Sequence, residues 1–125
     1  MESGTGAPSR EEVRSDSGRS FLLEANFYGN GCFLAISEGG NRRIGAISVA
    51  ISSQNNTTAA KVIPSKSDPL FVNTIAEKVA SMINGICIVS FYAKGQLKLE
   101  DMKAIMGGVM HIVEAEGNNS NGNNK

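Results

Sequence analysis

The sequence KVIPSKSDPLFVNTIAEKV, residues 61–79, contains the change from strand to helix that decides the fold class. Its first residues continue a β-branched segment, and Pro64 ends that strand or marks it as an edge, because proline has no N–H to donate to a sheet. From Pro69 the apolar residues fall three and four apart, which is typical of an amphipathic helix. Pro69 suits the first helical turn, and Asp68 or Ser67 is well suited to cap the free N–H groups. The stretch therefore predicts a strand, a polar connection and a helix.

Four strands are predicted before this helix, and one strand and a second helix after it. The strands show alternating polar and apolar residues or many β-branched residues, and Gly29–Gly31 and Gly39–Gly40 are predicted to form hairpin turns. Asn84 and Gly85 are a typical helix end. The strands cover residues 20–28, 31–37, 44–51, 59–64 and 85–93, and the second helix follows from the spacing of Leu99, Met102, Met106, Val109 and Val113. The order ββββαβα predicts an α+β fold, an antiparallel β-sheet with two α-helices packed on one face.

The two ends of the chain differ in composition from its middle. Residues 1–18 are small and charged, and residues 116–125 are rich in asparagine and glycine. Such segments bury too little apolar surface to offset the entropy of ordering them. We therefore predict a disordered N-terminal tail over 1–18, a single α+β domain over 19–115 and a disordered Asn-rich tail over 116–125.

Composition excludes several classes of partner. The 125 residues contain 12 lysines and arginines and 12 aspartates and glutamates, so the formal net charge is zero. Nucleic-acid binding would usually leave a basic excess, and no apolar run approaches the roughly 20 residues that cross a bilayer. Cys32 and Cys87 both lie in apolar runs and are predicted to be buried free thiols. We expect no nucleic acid and no membrane as partners, and a cytoplasmic and also nuclear location.

No assembled catalytic, cofactor or metal site is visible in the sequence. His111 is the only histidine, without cysteine or carboxylate at metal-ligand spacing. The glycine clusters lack the context of a phosphate-binding loop, and the helix start at Asp68 leaves an anion-binding role open without requiring it. Gly107 and Gly108 weaken the second helix and would be explained by a close approach of another backbone. We predict a protein that is not an enzyme and has no cofactor.

A surplus of apolar surface predicts a partner. The third and fifth predicted strands are apolar on both faces, the pattern of a sheet covered on two sides. Two helices of this length cover one face, so the other face meets a partner unless the sheet curls on itself. The predicted partner-binding residues are Ile44, Ala46, Ser48, Ile88, Ser90 and Tyr92.

Several strings resemble the proteasome assembly chaperone family, subunit-three type. The family has Lys-Val at a strand end and Pro-Leu starting a helix, followed by Ala-x-x-Val, a hydrophobic strand and a Met-Lys-Ala run. The matching positions here are Lys61-Val62, Pro69-Leu70, Ala76 and Val79, Ile86–Ala93, and Met102-Lys103-Ala104, and the resemblance covers about residues 21–114. The sister subunit-four type resembles the strand IVSFY equally well, so the subunit type stays open.

The resemblance implies a non-catalytic chaperone for 20S proteasome assembly. Such proteins act as a heterodimer with the sister subunit and hold proteasome α-type subunits while the α-ring forms. Whether the chain forms a homodimer when alone is left open. The alternative is a longin- or roadblock-like scaffold subunit of a GTPase-regulating or trafficking complex, although those folds usually place a helix between early strands.

Overall fold

A computed structural model describes residues 8–123 of the chain, with side chains described as far as residue 117. Six strands and two helices follow one another: β1 Ser9–Arg14, β2 Ser20–Tyr28, β3 Gly31–Glu38, β4 Ala46–Ser53, β5 Asn56–Ile63, α1 Pro69–Ile83, β6 Ile86–Tyr92 and α2 Leu99–Asn123. The α+β class and the order ββββαβα from β2 onward are confirmed. Strand β1 comes in addition, ahead of the predicted elements.

Strand β1 lies inside the segment that was predicted to be disordered. It pairs antiparallel with β2 from Ser9 to Arg14. Four of its six residues are charged, and exposure alternates along the strand. The segment forms a strand because β2 supplies the hydrogen-bonding edge and α2 packs against β1. The prediction of disorder therefore fails for residues 9–14, and residues 1–7 lie outside the described residues.

The sheet has the order β1-β2-β3-β6-β4-β5 and is mixed rather than wholly antiparallel. Strand β6 lies between β3 and β4, parallel to β3 and antiparallel to β4. The segment after Gly39 is therefore a connection across the end of β6, and the predicted hairpin at Gly39–Gly40 is wrong. Gly45 makes the crossing possible, because a Cβ there would lie 2.1 Å from the carbonyl oxygen of Phe91.

Both helices pack on one face of the sheet, as predicted. Helix α1 lies mainly against β4 and β6, and α2 against β1, β2 and α1. Small residues of β4 and of α1 allow the helix to approach the strand closely. The core between the layers includes Phe21, Leu23, Leu34, Ile36, Ala50, Val72, Ile75, Ala76, Val79, Ala80, Cys87, Val89, Ile105 and Val109, each at most 1% exposed.

Helix α1 begins and ends where the sequence predicted, but its first turn is built differently. Pro69 begins the helix, and Asn84 ends it in the left-handed conformation with its N–H bonded to the carbonyl of Ala80. Asp68 occupies the N-cap position without capping the helix through its side chain. Its carboxylate instead accepts the Leu97 N–H at 3.2 Å, which ties the start of α1 to the segment before α2.

The packing of helix α2 against the sheet explains one of the two glycines in the middle of the helix. A Cβ on Gly108 would lie 2.6 Å from Cγ1 of Val13 and 3.1 Å from Cδ2 of Leu23. The close approach is thus to sheet side chains, whereas the prediction named a backbone. Gly107 faces open space. The helical backbone continues to Asn123, past the predicted domain boundary at residue 115.

Candidate protein-binding face

Within the described residues 8–123, both helices lie on one face of the sheet, and we call the side chains of the other face the open face. The strand registers identify them: Phe33 lies beside Ile88, and Ile88 lies beside Val49 on its other side. Because directly paired residues share a face, the same alternation extends along all three strands. The apolar members on these central strands are Phe33, Ala35, Ile86, Ile88, Ile47, Val49 and Ile51.

The apolar members of the open face are accessible to a partner. Phe33 is 37% exposed and Ile51 is 53% exposed, and at the hairpin end of β2 Tyr28 is 66% exposed. Ile86 and Ile88 are half-buried, because neighbouring side chains on the pleated surface shield one another. Contiguous apolar strips of this kind mark binding surfaces in soluble proteins.

Charged groups border the open face on its β1–β2 side. The Glu24 side chain is 7% exposed and lies between two arginines. One carboxylate oxygen binds Arg10 Nη2 at 2.7 Å and the other binds Arg42 Nε at 2.8 Å. Both arginine side chains are more than half exposed, so their outer surfaces and the apolar strip face the same solvent. The face therefore has an apolar centre and a charged rim, the usual division within a protein interface.

The connection between β3 and β4 covers one end of the open face. The Ser37 hydroxyl accepts the Arg43 N–H at 3.2 Å, and the Ser90 hydroxyl accepts the Gly45 N–H at 3.1 Å. The Arg43 guanidinium lies 5.2 Å from the centre of the Tyr92 ring, a cation–π contact. Ser37 and Ser90 are consequently buried although no helix covers them.

The structure distributes the six predicted partner-binding residues over both faces of the sheet. Ile88, Ser90 and Tyr92 belong to the open face, and Ile44 projects from the connecting segment with 81% exposure, beside Ser90. Partner binding by these four stays a prediction.

Ala46 and Ser48 lie on the other face of the sheet, so the prediction that they share a face with Ile88 is wrong. Ala46 pairs with the core residue Phe91, and Ser48 pairs with the core residue Val89. The Ser48 hydroxyl also donates to Oδ1 of Asn73 in α1, at 2.7 Å. Both residues are therefore turned toward the helices.

Sequence reasoning missed the β4 members of the open face. Ile47, Val49 and Ile51 alternate with the smaller Ala46, Ser48 and Ala50. Alternation separates the two sets without saying which one faces the helices. Their size is the signal that could have helped, since small residues fit beneath a closely packed helix and large apolar residues suit a second protein surface.

A separate polar cluster lies on the face of the sheet that carries the helices. It links the segment before β2 and the end of β3 to the segment before α2 and to the first turn of α2. Arg19 binds Glu38 at 2.7 Å and Asp101 at 3.2 Å, and it donates to the carbonyls of Gly95 and Gln96. The hydrogen bonds from Arg19 lower the pKa of Glu38. These bonds fix the segment that precedes α2, so the cluster has a structural explanation.

Cys32, Cys87 and His111 also have structural partners. Cys32 and Cys87 are neighbours across β3 and β6 and are buried free thiols, as predicted. Their mutual hydrogen bond and burial raise the pKa of Cys87, which keeps that thiol protonated. His111 Nδ1 lies 2.6 Å from a carboxylate oxygen of Glu11, an exposed link between α2 and β1. Among the described residues, no three His, Cys, Asp or Glu side chains are grouped so as to hold a metal ion.

Comparisons with known proteins identify a solved structure with a similar fold but no close relative in sequence. No protein-family model matches the chain, and no curated protein matches it. A chain in the crystal structure of a novel chaperone complex for yeast 20S proteasome assembly superposes with a TM-score of 0.56 at 14% identity, over 86% of this chain and 89% of that chain. The two chains share a fold. Within the described part of this chain, neither helix has the length and hydrophobicity needed to span a membrane.

Proposed function

We propose that this protein is a non-catalytic chaperone subunit for assembly of the 20S proteasome. It works as a heterodimer with a sister subunit and promotes α-ring formation by holding α-type subunits. On this proposal it acts in the cytoplasm and also in the nucleus.

The open face is the observation that carries the proposal. It presents an apolar strip around Phe33, Ile88 and Val49 that neither helix covers. A chaperone that works in a complex needs such a face for its partner subunit, whereas an enzyme would need a site with assembled reactive groups. The fold that this chain shares with a subunit of a proteasome-assembly chaperone complex supports the same function.

Pairing through the open face would bury the apolar strip of each subunit against the other. The exposed arginines of the rim, Arg10 and Arg42, would gain attraction from acidic residues of a sister subunit placed opposite them, which would contribute to the choice of partner. Proteasome α-type subunits would contact surfaces outside the subunit pair.

The function is tested by affinity purification of the full chain from cells, followed by mass spectrometry. We expect the sister chaperone subunit and proteasome α-type subunits to be recovered together. Recovery of GTPase-regulating or trafficking complexes without any proteasome subunit would favour the longin- or roadblock-like alternative and contradict the proposal.

The pairing surface is tested by Ile88→Asp, with Val49→Asp as a second variant on the neighbouring strand. Placing an unpaired carboxylate in the apolar centre costs about 3 kcal/mol or more, which lowers the affinity for the sister subunit by more than about 100-fold. Leu70→Asp is the matched control, since Leu70 is 76% exposed on α1.

Light scattering and co-purification of the two subunits report the result. Circular dichroism of each variant first establishes that it is folded. If folded Ile88→Asp and Val49→Asp both pair as well as Leu70→Asp, the open face is not the interface.

A further inference from the structure

Strand β5 forms one edge of the sheet. Within residues 8–123 it is hydrogen-bonded to β4 alone, and seven of its eight residues are exposed. The backbone N–H and C=O groups on the outer side of an edge strand are a template for pairing with a further strand. The β5 edge is therefore a surface at which a second protein can add to the sheet.

The two edges of the sheet differ in their protection against such pairing. Strand β1 carries four charged residues among six, and α2 packs against it. Charged side chains and a covering helix are two devices that keep an edge strand from pairing. Strand β5 carries a single charged residue among eight, Lys61. Its register with β4 shifts beyond Lys61 and Pro64 follows the strand, so the regular part of this edge comprises residues 56–61.

The backbone groups of Thr57, Ala59 and Lys61 point outward from the β5 edge. Ser52 donates its N–H to the carbonyl of Gly85, on the β6 side of β4, at 2.9 Å. The N–H and C=O of one residue in an antiparallel strand point to the same side, so the backbone groups of Ser52 are turned away from β5. Those of its pairing partner Thr57 are consequently turned away from β4. The direction alternates along a strand, and the groups of Ala59 and Lys61 therefore point outward as well.

We propose that the β5 edge pairs antiparallel with the β5 edge of a second copy of this chain. The two-fold axis passes at Ala59, so that Ala59 lies opposite Ala59 of the second copy and Thr57 lies opposite its Lys61. Each of the three outward residues then exchanges hydrogen bonds with an outward residue, which gives about six backbone hydrogen bonds. Any other position of the axis sets at least one outward residue opposite the β4–β5 turn or opposite the irregular end of the strand.

The side chains of β5 suit this self-pairing. Ala59 lies on the helix side of the sheet because it pairs with the core residue Ala50, and Thr57 and Lys61 share that side by alternation. Residues that face each other across the axis therefore belong to the same side, as a continuous sheet requires. The one charge of β5 lies opposite a threonine, whereas an axis at Lys61 would oppose two lysines. This complementarity of spacing and charge identifies a second copy as the occupant.

The dimer joins two six-stranded sheets into one sheet, with both open faces on the same side. The two-fold axis is perpendicular to the sheet, so it turns neither copy over. The open face of each copy stays accessible to a sister subunit. The inference is therefore independent of the proposed chaperone function, and the two can fail separately.

The chain's own residues 1–7 are the rival occupant of the β5 edge. Strand β1 lies five strand spacings from β5, which is about 24 Å at about 4.8 Å per spacing. Seven extended residues span at most about 25 Å. A segment of that length is used up in crossing the sheet and has no residues left to pair with β5.

The test measures the oligomeric state of the full chain alone by light scattering at increasing concentration. We expect a dimer whose fraction rises with concentration, and a Kd of about 1 mM leaves about half of the chains paired at about 1 mM protein. Amide hydrogen exchange then reports the contact by residue. The exchange of the Ala59 and Lys61 amides should slow at least about twofold at this concentration, because their N–H groups become bonded. The amide of Ala60, which points toward β4, is the internal control.

Two substitutions at one position test the register. Thr57→Glu places a carboxylate opposite Lys61 of the second copy, and Thr57→Lys places a lysine there. Both variants lose the 3.0 Å hydrogen bond from the Thr57 hydroxyl to Ser52, so this effect on the single chain is matched. Each contact occurs twice in the dimer, and we expect a Kd at least about fivefold higher for Thr57→Lys than for Thr57→Glu. Circular dichroism first establishes that both variants are folded.

Three outcomes would overturn the proposal. A chain that stays monomeric at about 1 mM would show that the β5 edge does not pair. Equal dimerisation of folded Thr57→Glu and Thr57→Lys would show that Thr57 does not lie opposite Lys61. Loss of the dimer in Ile88→Asp, with none in Thr57→Lys, would assign the self-association to the open face instead.

Discussion

Replacing Asp101 with asparagine removes the negative charge of a fully buried carboxylate while keeping its shape. The Asp101 side chain is 0% exposed. It accepts the Ser17 hydroxyl at 2.6 Å and the Lys98 N–H at 2.8 Å, and it binds Arg19 at 3.2 Å. The bond to Lys98 is one half of a capping box, since Asp101 occupies the third position of α2. The carboxylate thus joins the start of α2 to the segment between β1 and β2.

The expected loss of stability follows from these bonds. Hydrogen bonds to a charged group contribute about 1.5–3 kcal/mol, and an asparagine turns one acceptor oxygen into a donor that faces other donors. We expect Asp101→Asn to lower the free energy of unfolding by about 2–4 kcal/mol at pH 7. Asp16→Asn is the matched control, because Asp16 is an exposed carboxylate in the same segment.

The pH dependence provides a second, independent readout. Burial acts to raise the pKa of Asp101, but the hydrogen bonds from Ser15, Ser17 and Lys98 and the charge of Arg19 outweigh it and lower the pKa to about 2. A lowered folded-state pKa means that the stabilisation is present above the unfolded-state pKa and disappears as the pH falls through about 2. The difference between the natural protein and Asp101→Asn should therefore shrink between about pH 4 and pH 2.

Urea unfolding followed by circular dichroism at pH 7, 4 and 2.5 measures both effects. A change in the midpoint with an unchanged slope reports stability alone. The reasoning is refuted if Asp101→Asn is no less stable than Asp16→Asn at pH 7. It is also refuted if the difference between the variants stays constant down to pH 2.5.

Two further predictions concern the packing of α2 against β1. Gly107→Ala should stabilise the protein by about 0.5–1 kcal/mol, because alanine has the higher helix propensity. Gly108→Ala should destabilise it by about 1–3 kcal/mol, because the new Cβ meets Val13. Thermal unfolding compares the two variants, and equal effects would contradict the close approach of Gly108 to the sheet. The hydrogen bond and charge of Glu11 raise the pKa of His111, so this pair stabilises the fold below the ordinary histidine pKa and the contribution is lost as the pH rises through the raised value. An NMR titration should show the pKa of His111 falling in Glu11→Gln, and an unchanged value would argue against the pair.

Much of the fold was predictable because local patterns match the tertiary structure. Helix α1, Pro69–Ile83, and the turn at Gly29–Gly31 follow from residue types with strong local preferences. Strand β1 was not predictable in the same way, because its charged residues form a strand only where β2 offers an edge. The crossing after Gly39 was missed for a similar reason, since glycines suit a hairpin and a longer connection equally well.

The candidate interface was predictable only in part. The sequence indicated that one sheet face lacks a covering layer and placed Ile88 among the candidates, which the structure locates on the open face. It could not pair β4 with β6, so Ser48 was grouped with Ile88 although it faces Asn73 of α1.

The sequence by itself determined the class of fold, the starts and ends of the central elements and the excess of apolar surface. These properties depend on residue type and on spacing along one segment, such as the change of period within residues 61–79. Only the tertiary structure decided which strand lies beside which and therefore which side chains share a face. A strand's alternation defines two sets of residues, but the register with its neighbours selects the set that meets the helices.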